Sequence, residues 1–279
     1  MVRIIADSSN DVPKDMQEKY RIKIVPLKVT IGDESYQDWV DITPEVLYQR
    51  IETEEITPTT SQPTPKDFLD VFEECKANGE TDVLVVTIAE PLSGTYQSAV
   101  MAREEISDMN IEIISSHTAS IGVSLMISLI GDMVLEGASL EDVAARYREL
   151  DSRINTYIVV DNMTMLKRGG RVSGSAAMIG TMLNIKPVLY VTKEAKLEAF
   201  DKVRGFKKAH ARLASVYKEL ADPAMPFAVI NAKNPEEAGN LLKALRDAGA
   251  TGEVIEGQVG AVIGSHVGPG TVAVAFLSK

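Results

Sequence analysis

The sequence predicts an α/β fold of two units: a doubly wound parallel sheet, then a mixed α/β unit. Three observations carry this prediction. Strand-length apolar runs alternate with helix-length stretches from Val2 to about Asp151, the order that a parallel sheet covered by helices on both faces requires. The run TDVLVVTI (81–88) is apolar almost throughout, as a strand buried on both faces is. Later, Leu197–Arg204 alternates apolar and polar residues, as a half-exposed antiparallel strand does. A chain of 279 residues can fill two cores. The change of pattern places the units at 1–157 and 158–279.

Taken in order, Val2–Ala6 reads as a buried strand and Asp7–Asp11 (DSSND) as a polar loop at its carboxyl end. Open α/β sheets place ligands at such ends, although capping ahead of Pro13 explains the same residues. Ile22–Ile31 reads as one or two strands interrupted at Pro26, and Thr43 caps a helix that has Pro44 at its first position. TPTTSQPT (57–64) reads as a hydroxyl-rich loop leading to a helix over 65–77, with Thr64 as its cap. PLSGT (91–95) opens a helix to about Glu105. A strand over 111–115, an apolar helix over 119–135 and an amphipathic helix over 140–153 follow. The second unit opens from a strand over 156–161. It continues with strands over 188–192, 197–204, 227–232, 253–257 and 271–277, and with helices over 205–221 and 235–248.

Composition narrows the function. Aromatic residues make up only 5% and the net charge is −11, which argues against a stacking platform and against nucleic acid. The single cysteine, Cys75, fits a reducing compartment and excludes an internal disulfide. The N-terminus opens directly as a strand, without a signal pattern, and the most apolar helix is too short to span a bilayer and carries Asp132. These features lead to the expectation of a cytoplasmic protein that is not an integral membrane protein. The three histidines are far apart, with no carboxylate cluster at ligand spacing, so no metal is expected. No dinucleotide fingerprint, phosphate-binding P-loop or GxSxG turn is present, so no cofactor is expected.

Three polar loops remain: TTSQPT (59–64), PLSGT (91–95) and GSHVGPG (264–270). The first two precede helices, whose free N–H groups and positive dipole end favour an anion, although Ser93 and Thr64 also serve as ordinary caps. His266, in a Gly/Pro-rich segment, faces a ligand more readily than His117 or His210. A further stretch, LKRGGRVSGSAAMIGTMLNIKP (166–187), puts Lys167, Arg168 and Arg171 around a Gly169-Gly170 turn. A small-residue helix over 173–184 follows. Such arginines suit anionic groups or an acidic partner. Lys202, Arg204, Lys207, Lys208 and Arg212 form a second basic cluster.

TTSQPT (59–64), PLSGTYQSA (91–99), LKRGGRVS (166–173) with NIKPVL (184–189), KVRGFKKA (202–209) and SHVGPG (265–270) together resemble the DegV family, in matching order over essentially the whole chain. The resemblance implies a two-domain α/β fold with a long-chain fatty acid held between the domains. Some members are fatty-acid-binding subunits of bacterial fatty acid kinase, whose separate ATP-binding catalytic subunit converts the bound acid to an acyl-phosphate for phospholipid synthesis. It further implies that Thr60, Ser61, Ser93 and His266 meet the carboxylate, to which the backbone N–H groups of Gly94 and Thr95 could add donors, and that catalysis lies in the partner rather than in this chain. TSQPT departs from the TSQPS of many relatives, an exchange of one hydroxyl residue for another. Physical chemistry agrees with the assignment, since a carboxylate removed from water needs several donors or a positive charge. About fourteen buried methylenes, at roughly 0.8 kcal/mol each, supply on the order of 11 kcal/mol before ordering costs.

In that setting Arg171, Lys202 and Arg204 are candidates for a kinase docking face, with ordinary solvated charge as the competing explanation. Two other functions stay open. One is a small-molecule hydrolase or transferase with Ser93 as nucleophile and His266 as base. The other is a lipid-binding regulator.

Overall fold

The computed structural model describes residues 1–54, 56–161, 163–172 and 184–279. The alternating first half forms the expected parallel sheet from β1 (Arg3–Asp7), β2 (Lys23–Val25), β6 (Asp82–Thr87) and β7 (Asn110–Ser115), in the order β2-β1-β6-β7. Every neighbouring pair in it is parallel. Successive strand residues point to opposite faces, so Ile5, Val83 and Val85 pack under α3 (Pro65–Ala77) and α4 (Thr95–Glu104). Ile4, Leu84 and Val86 pack on the other side, against α1 (Lys14–Lys19), α5 (Ile121–Leu135) and α6 (Leu140–Arg153). Helix α3 begins as its sequence indicates. Thr64 and Asp67 form a reciprocal capping box ahead of Pro65.

Pro26 does separate two strands, and they enter different sheets. β3 (Lys28–Ile31) lies between β4 (Glu34–Gln37) and β5 (Thr59–Ser61) in a small antiparallel sheet. Part of the hydroxyl-rich segment is therefore strand: Thr59, Thr60 and Ser61 pair with Thr30, Val29 and Lys28. Helix α2 (Pro44–Glu54) connects the two parts of this sheet in the chain.

The second sheet contains β8 (Ile154–Val159), β9 (Ile185–Val191), β10 (Leu197–Arg204), β11 (Phe227–Asn231), β12 (Val254–Gln258) and β13 (Val272–Leu277). Its order is β10-β9-β8-β13-β11-β12, and only β11 and β12 run parallel. One face packs on α8 (Phe206–Leu220) and α9 (Pro235–Asp247) in a core that holds a cluster of aromatics: Tyr157, Tyr190, Phe200, Tyr217, Phe227 and Phe276. The opposite face is aliphatic and belongs to a core shared with β3 and α2.

Two short helices appear where turns and loops were expected. α7 (Thr164–Gly169) occupies the start of the arginine-rich stretch, and α10 (Ala261–Val267) occupies the start of the Gly/Pro-rich segment. The helix expected over 173–184 lies outside the described residues, apart from Asn184. Among the described residues no helix is long and apolar enough to cross a membrane, and no cluster of His, Cys, Asp or Glu could hold a metal.

Candidate functional site

The aliphatic face of the second sheet lines a cavity of about 480 Å³. Ile158, Ala273 and Ile230 lie opposite one another on β8, β13 and β11 and form one row of its wall. Leu27, Ile121 and Val262 line it from other elements, and no Phe, Tyr or Trp appears among the described lining residues. The two faces of this sheet therefore differ in kind. The rings stack on one face of the sheet, while flexible aliphatic chains surround the hollow on the other.

One part of this lining is polar. Thr60, Ser61, Gln62, Ser93, Gly94, Arg171 and His266 all reach the cavity. Four segments distant in sequence thus converge: β5, the turn before α4, the residues after α7, and α10. The Thr60 hydroxyl lies 2.8 Å from His266 Nε2, and the Ser93 hydroxyl lies 2.8 Å from that of Thr95. Thr95 itself is fully buried behind Ser93 and does not line the cavity. Ser93 is not the cap of α4. That position is taken by Gly94, without a side-chain hydrogen bond, so the first-turn N–H groups of α4 keep their capacity to donate.

Two glycines lie at close approaches in this convergence, although the atoms facing Gly94 belong to the movable amide of Gln62. A Cβ on Gly94 would lie 2.2 Å from Gln62 Oε1, and a Cβ on Gly169 would lie 2.2 Å from His266 Nδ1. Gly169 is thus the close backbone approach that the double glycine allows, and Gly170, at φ 67°, ends α7 in the left-handed conformation.

Helix α10 is anchored from the N-terminal loops. Asp11 accepts from the Gly260 N–H and Asp38 from the Ala261 N–H, each at 2.9 Å, at the start of the helix that bears His266. Asp38 also accepts from Ser8 at 2.8 Å, and Asp11 from Ser120, which lines the cavity. Burial pushes Asp38 up to about 7 and Asp11 well above the usual carboxylate range. Each raised value means stability that is complete below the unfolded carboxylate value and lost as pH rises through the folded one. The DSSND loop is accordingly internal support. Asp7 to Asp11 are all buried, and none lines the cavity. Sequence reasoning did not find the Asp38 contact, because the residues it joins are 223 positions apart.

Burial, together with the neighbouring positive charge of Arg171, pushes the His266 imidazole down to about 4. The ring is therefore neutral at pH 7. Its neutrality adds stability above the free-histidine value that disappears as pH falls through about 4. His266 Nδ1 is buried and has no partner among the described residues. Nε2 is engaged by Thr60 and the Ser93 hydroxyl by Thr95, so among the described residues Ser93 and His266 are not paired as nucleophile and base, and no carboxylate orients the ring.

The expected basic residues divide. Arg171 lines the cavity and donates to the Gly169 carbonyl at 2.6 Å. Lys202 and Arg204 are exposed on β10, on the outer edge of the second sheet. Arg212 is drawn out of that cluster, since it pairs with Asp201 at 3.0 Å and stacks over Phe200. His117 contacts Asp151 on another part of the surface, and His210 is buried near Glu237.

Comparison with known proteins gives consistent results. A family model described as "Uncharacterised protein, DegV family" matches residues 1–279. A DegV domain-containing protein of Caldanaerobacter subterraneus subsp. tengcongensis is 34% identical over 283 residues, covering 100% of this chain and 99% of its own. A solved structure described as showing fatty acid binding of a DegV family protein from Thermus thermophilus superposes with a TM-score of 0.91 at 33% identity, covering 100% and 99% of the two chains. Another, a stearic acid-binding protein from Eubacterium ventriosum, superposes with a TM-score of 0.90 at 27% identity and the same coverage.

Proposed function

The chain belongs to the DegV family, and from that premise we propose that it binds one long-chain fatty acid and presents the carboxylate to a separate, ATP-binding kinase subunit. The observation that carries this reading is the make-up of the cavity: a mainly aliphatic hollow of about 480 Å³ into which Thr60, Gln62, Ser93, Arg171 and His266 are brought from four separate segments. A fatty acid has the same division, an apolar tail and a single anionic head. The fatty-acid binding of the solved relatives supports the choice of ligand.

In this reading Thr60, Ser61, Ser93, His266 and the N–H group of Gly94 meet the carboxylate, while Thr95, behind them, holds the Ser93 hydroxyl. Arg171 supplies the positive charge that neutral His266 does not. The two units, 1–157 and 158–279, are the arms that enclose the acid. In the transfer itself, a carboxylate oxygen attacks the γ-phosphorus of ATP held by the partner. An O–P bond forms, the bond from the γ-phosphorus to the bridging oxygen breaks, and ADP leaves. This chain contributes a positioned nucleophile, its own bound substrate, while the partner contributes the nucleotide and the catalysis. Lys202 and Arg204, exposed on β10, are the proposed docking cations in an otherwise acidic protein. The need for ATP accords with a cytoplasmic location.

Protein purified from bacteria is expected to release a stoichiometric C14–C18 acid on denaturing extraction, read by lipid mass spectrometry. Ser93→Ala and His266→Ala should each weaken binding of added palmitate by about 1–3 kcal/mol, the range for a lost hydrogen bond to a charged group. Lipid-free protein that takes up no palmitate would end the reading.

The histidine gives a second, independent check. Its ring is expected to protonate near pH 4 in ligand-free protein and at a higher pH once palmitate is bound, because the adjacent anion favours the charged ring. An NMR titration of the His266 ring with and without palmitate measures both midpoints. Equal midpoints would put the carboxylate somewhere else.

A further inference from the structure

The end of the cavity away from His266 is not closed by a continuous sheet. α7, which brings Gly169 to His266, follows β8 in the chain, and α10, which bears His266, precedes β13. β8 and β13 are antiparallel, with Val159 opposite Val272, so both helices lie at one end of this strand pair. Thr156 stands three residues back along β8 from Val159, about 10 Å at the usual rise of a strand. Pairing between β8 and β9 stops there, at Tyr157 and Tyr190. Thr156 and Val191 are the next residues on the two strands, and they stand where the strands part. Both line the aliphatic cavity, and both also line a separate cleft of about 680 Å³. That cleft is polar. His117, Asn155, Thr192 and Lys193 belong to its wall, and water reaches it because His117 and Lys193 are exposed. At this end, then, two side chains separate an aliphatic hollow from a wet cleft.

The partition carries a hydroxyl pair. Thr156 Oγ1 lies 2.9 Å from Thr118 Oγ1, and the two residues are only 6% and 1% exposed. Their contact uses one of the two hydroxyl protons, and neither hydroxyl has another hydrogen bond among the described residues. One O–H and several lone pairs are therefore left over at the cavity wall. Gly122 of α5 makes room for the pair, since a Cβ there would lie 2.8 Å from the Thr118 hydroxyl and 2.9 Å from that of Thr156. A methyl-ended tail offers these groups nothing to bond.

We propose that this end of the cavity receives a polar ω-terminus, so that long-chain ω-hydroxy acids are ligands alongside the unsubstituted ones. The inference rests on the fatty-acid reading above and names a further ligand class for the same site. The ω-hydroxyl exchanges hydrogen bonds with the Thr118–Thr156 pair at the place where the wall is thinnest. A methyl terminus packs against the Val191 side chain and the threonine methyl groups instead, so one end accommodates both. At a wholly aliphatic end the ω-hydroxyl would give up its bonds to water without return, a loss of about tenfold to a hundredfold in affinity.

The test measures, by calorimetry, binding of the saturated C14, C16 and C18 acids and of their ω-hydroxy counterparts to the wild-type chain, Thr156→Val and Thr156→Ser. In the wild type, at the length that fits best, the ω-hydroxy acid is expected to bind within about threefold of its parent. Thr156→Val keeps the shape of the side chain and removes its hydroxyl. It should weaken that ω-hydroxy acid about tenfold and leave the parent within about twofold, and Thr156→Ser, which keeps a hydroxyl, should recover the ω-hydroxy acid. Unchanged binding of the parent acids verifies that each variant is folded. An ω-hydroxy acid more than about threefold weaker than its parent at every length in the wild type, or a Thr156→Val substitution that acts alike on both classes or on neither, would overturn the polar terminus. Failure of every unsubstituted acid to bind the wild-type chain would instead remove the underlying fatty-acid reading.

Discussion

Replacing Ala273 with phenylalanine is expected to abolish binding of C16 and C18 acids while sparing shorter ones. Ala273 sits on β13 between Ile158 of β8 and Ile230 of β11, and all three line the cavity. It is the small member of the row, and a methyl group there leaves the middle of the wall open. A benzyl side chain would fill that space and exclude about five or six methylenes of a long acyl chain. At roughly 0.8 kcal/mol per buried CH₂ the loss is about 4–5 kcal/mol, on the order of a thousandfold in affinity. The polar groups are untouched, so a C8 or C10 acid should bind the variant about as well as it binds the wild type. Filling an existing hollow also costs less than overpacking a dense core, so the thermal midpoint should hold. A chain-length series from C8 to C18, measured on both proteins, gives the answer. Undiminished stearate binding by Ala273→Phe would mean that the acyl chain does not pass this row.

How far the sequence could foresee this arrangement follows from the range of the interactions involved. Strands buried by their own composition were legible. Asp82–Thr87 needs only its apolar run, and Leu197–Arg204 its alternation. The helix start at Thr64-Pro65 was legible because its capping box is local. β5 was not, because TTS has no apolar pattern, and what makes it a strand is pairing with Lys28–Thr30. α10 was not legible either. Gly260, Gly264 and Gly268 read as loop punctuation, whereas the helix is held at its start by Asp11, 249 residues away, and by Asp38. Gly264 is small for a tertiary reason, since a Cβ there would meet the Tyr48 hydroxyl at 2.4 Å. For the same reason, Thr60, Ser93 and His266 were found as a set through family resemblance rather than through spacing. They lie on three segments that come together only in the fold. Gln62, Ser120, Thr156 and Thr271 also line the cavity, and as isolated polar residues they carried no signal.

Gly169→Ala is expected to damage the carboxylate end from a position that contributes no side chain to it. The added methyl would lie 2.2 Å from His266 Nδ1, a separation that demands movement of the ring or of α7. If the ring moves, the 2.8 Å contact between Nε2 and Thr60 is lost, and with it two of the donors proposed for the carboxylate. If α7 moves instead, Arg171 is displaced, because its Nη1 is tied to the Gly169 carbonyl at 2.6 Å. Either response removes groups worth about 1–3 kcal/mol each toward a buried anion, so palmitate affinity should fall by roughly two to three orders of magnitude. Helix propensity acts in the opposite direction: alanine favours a helical position over glycine by about 1 kcal/mol. Gly170→Ala is the matched control. No atom crowds a Cβ at Gly170, but its φ of 67° is costly for alanine, so that variant should lose stability of about 1 kcal/mol and little affinity. The comparison is palmitate affinity against thermal midpoint for the two neighbouring substitutions. Normal palmitate binding by Gly169→Ala would show that the close approach of α7 to His266 is not what shapes the site.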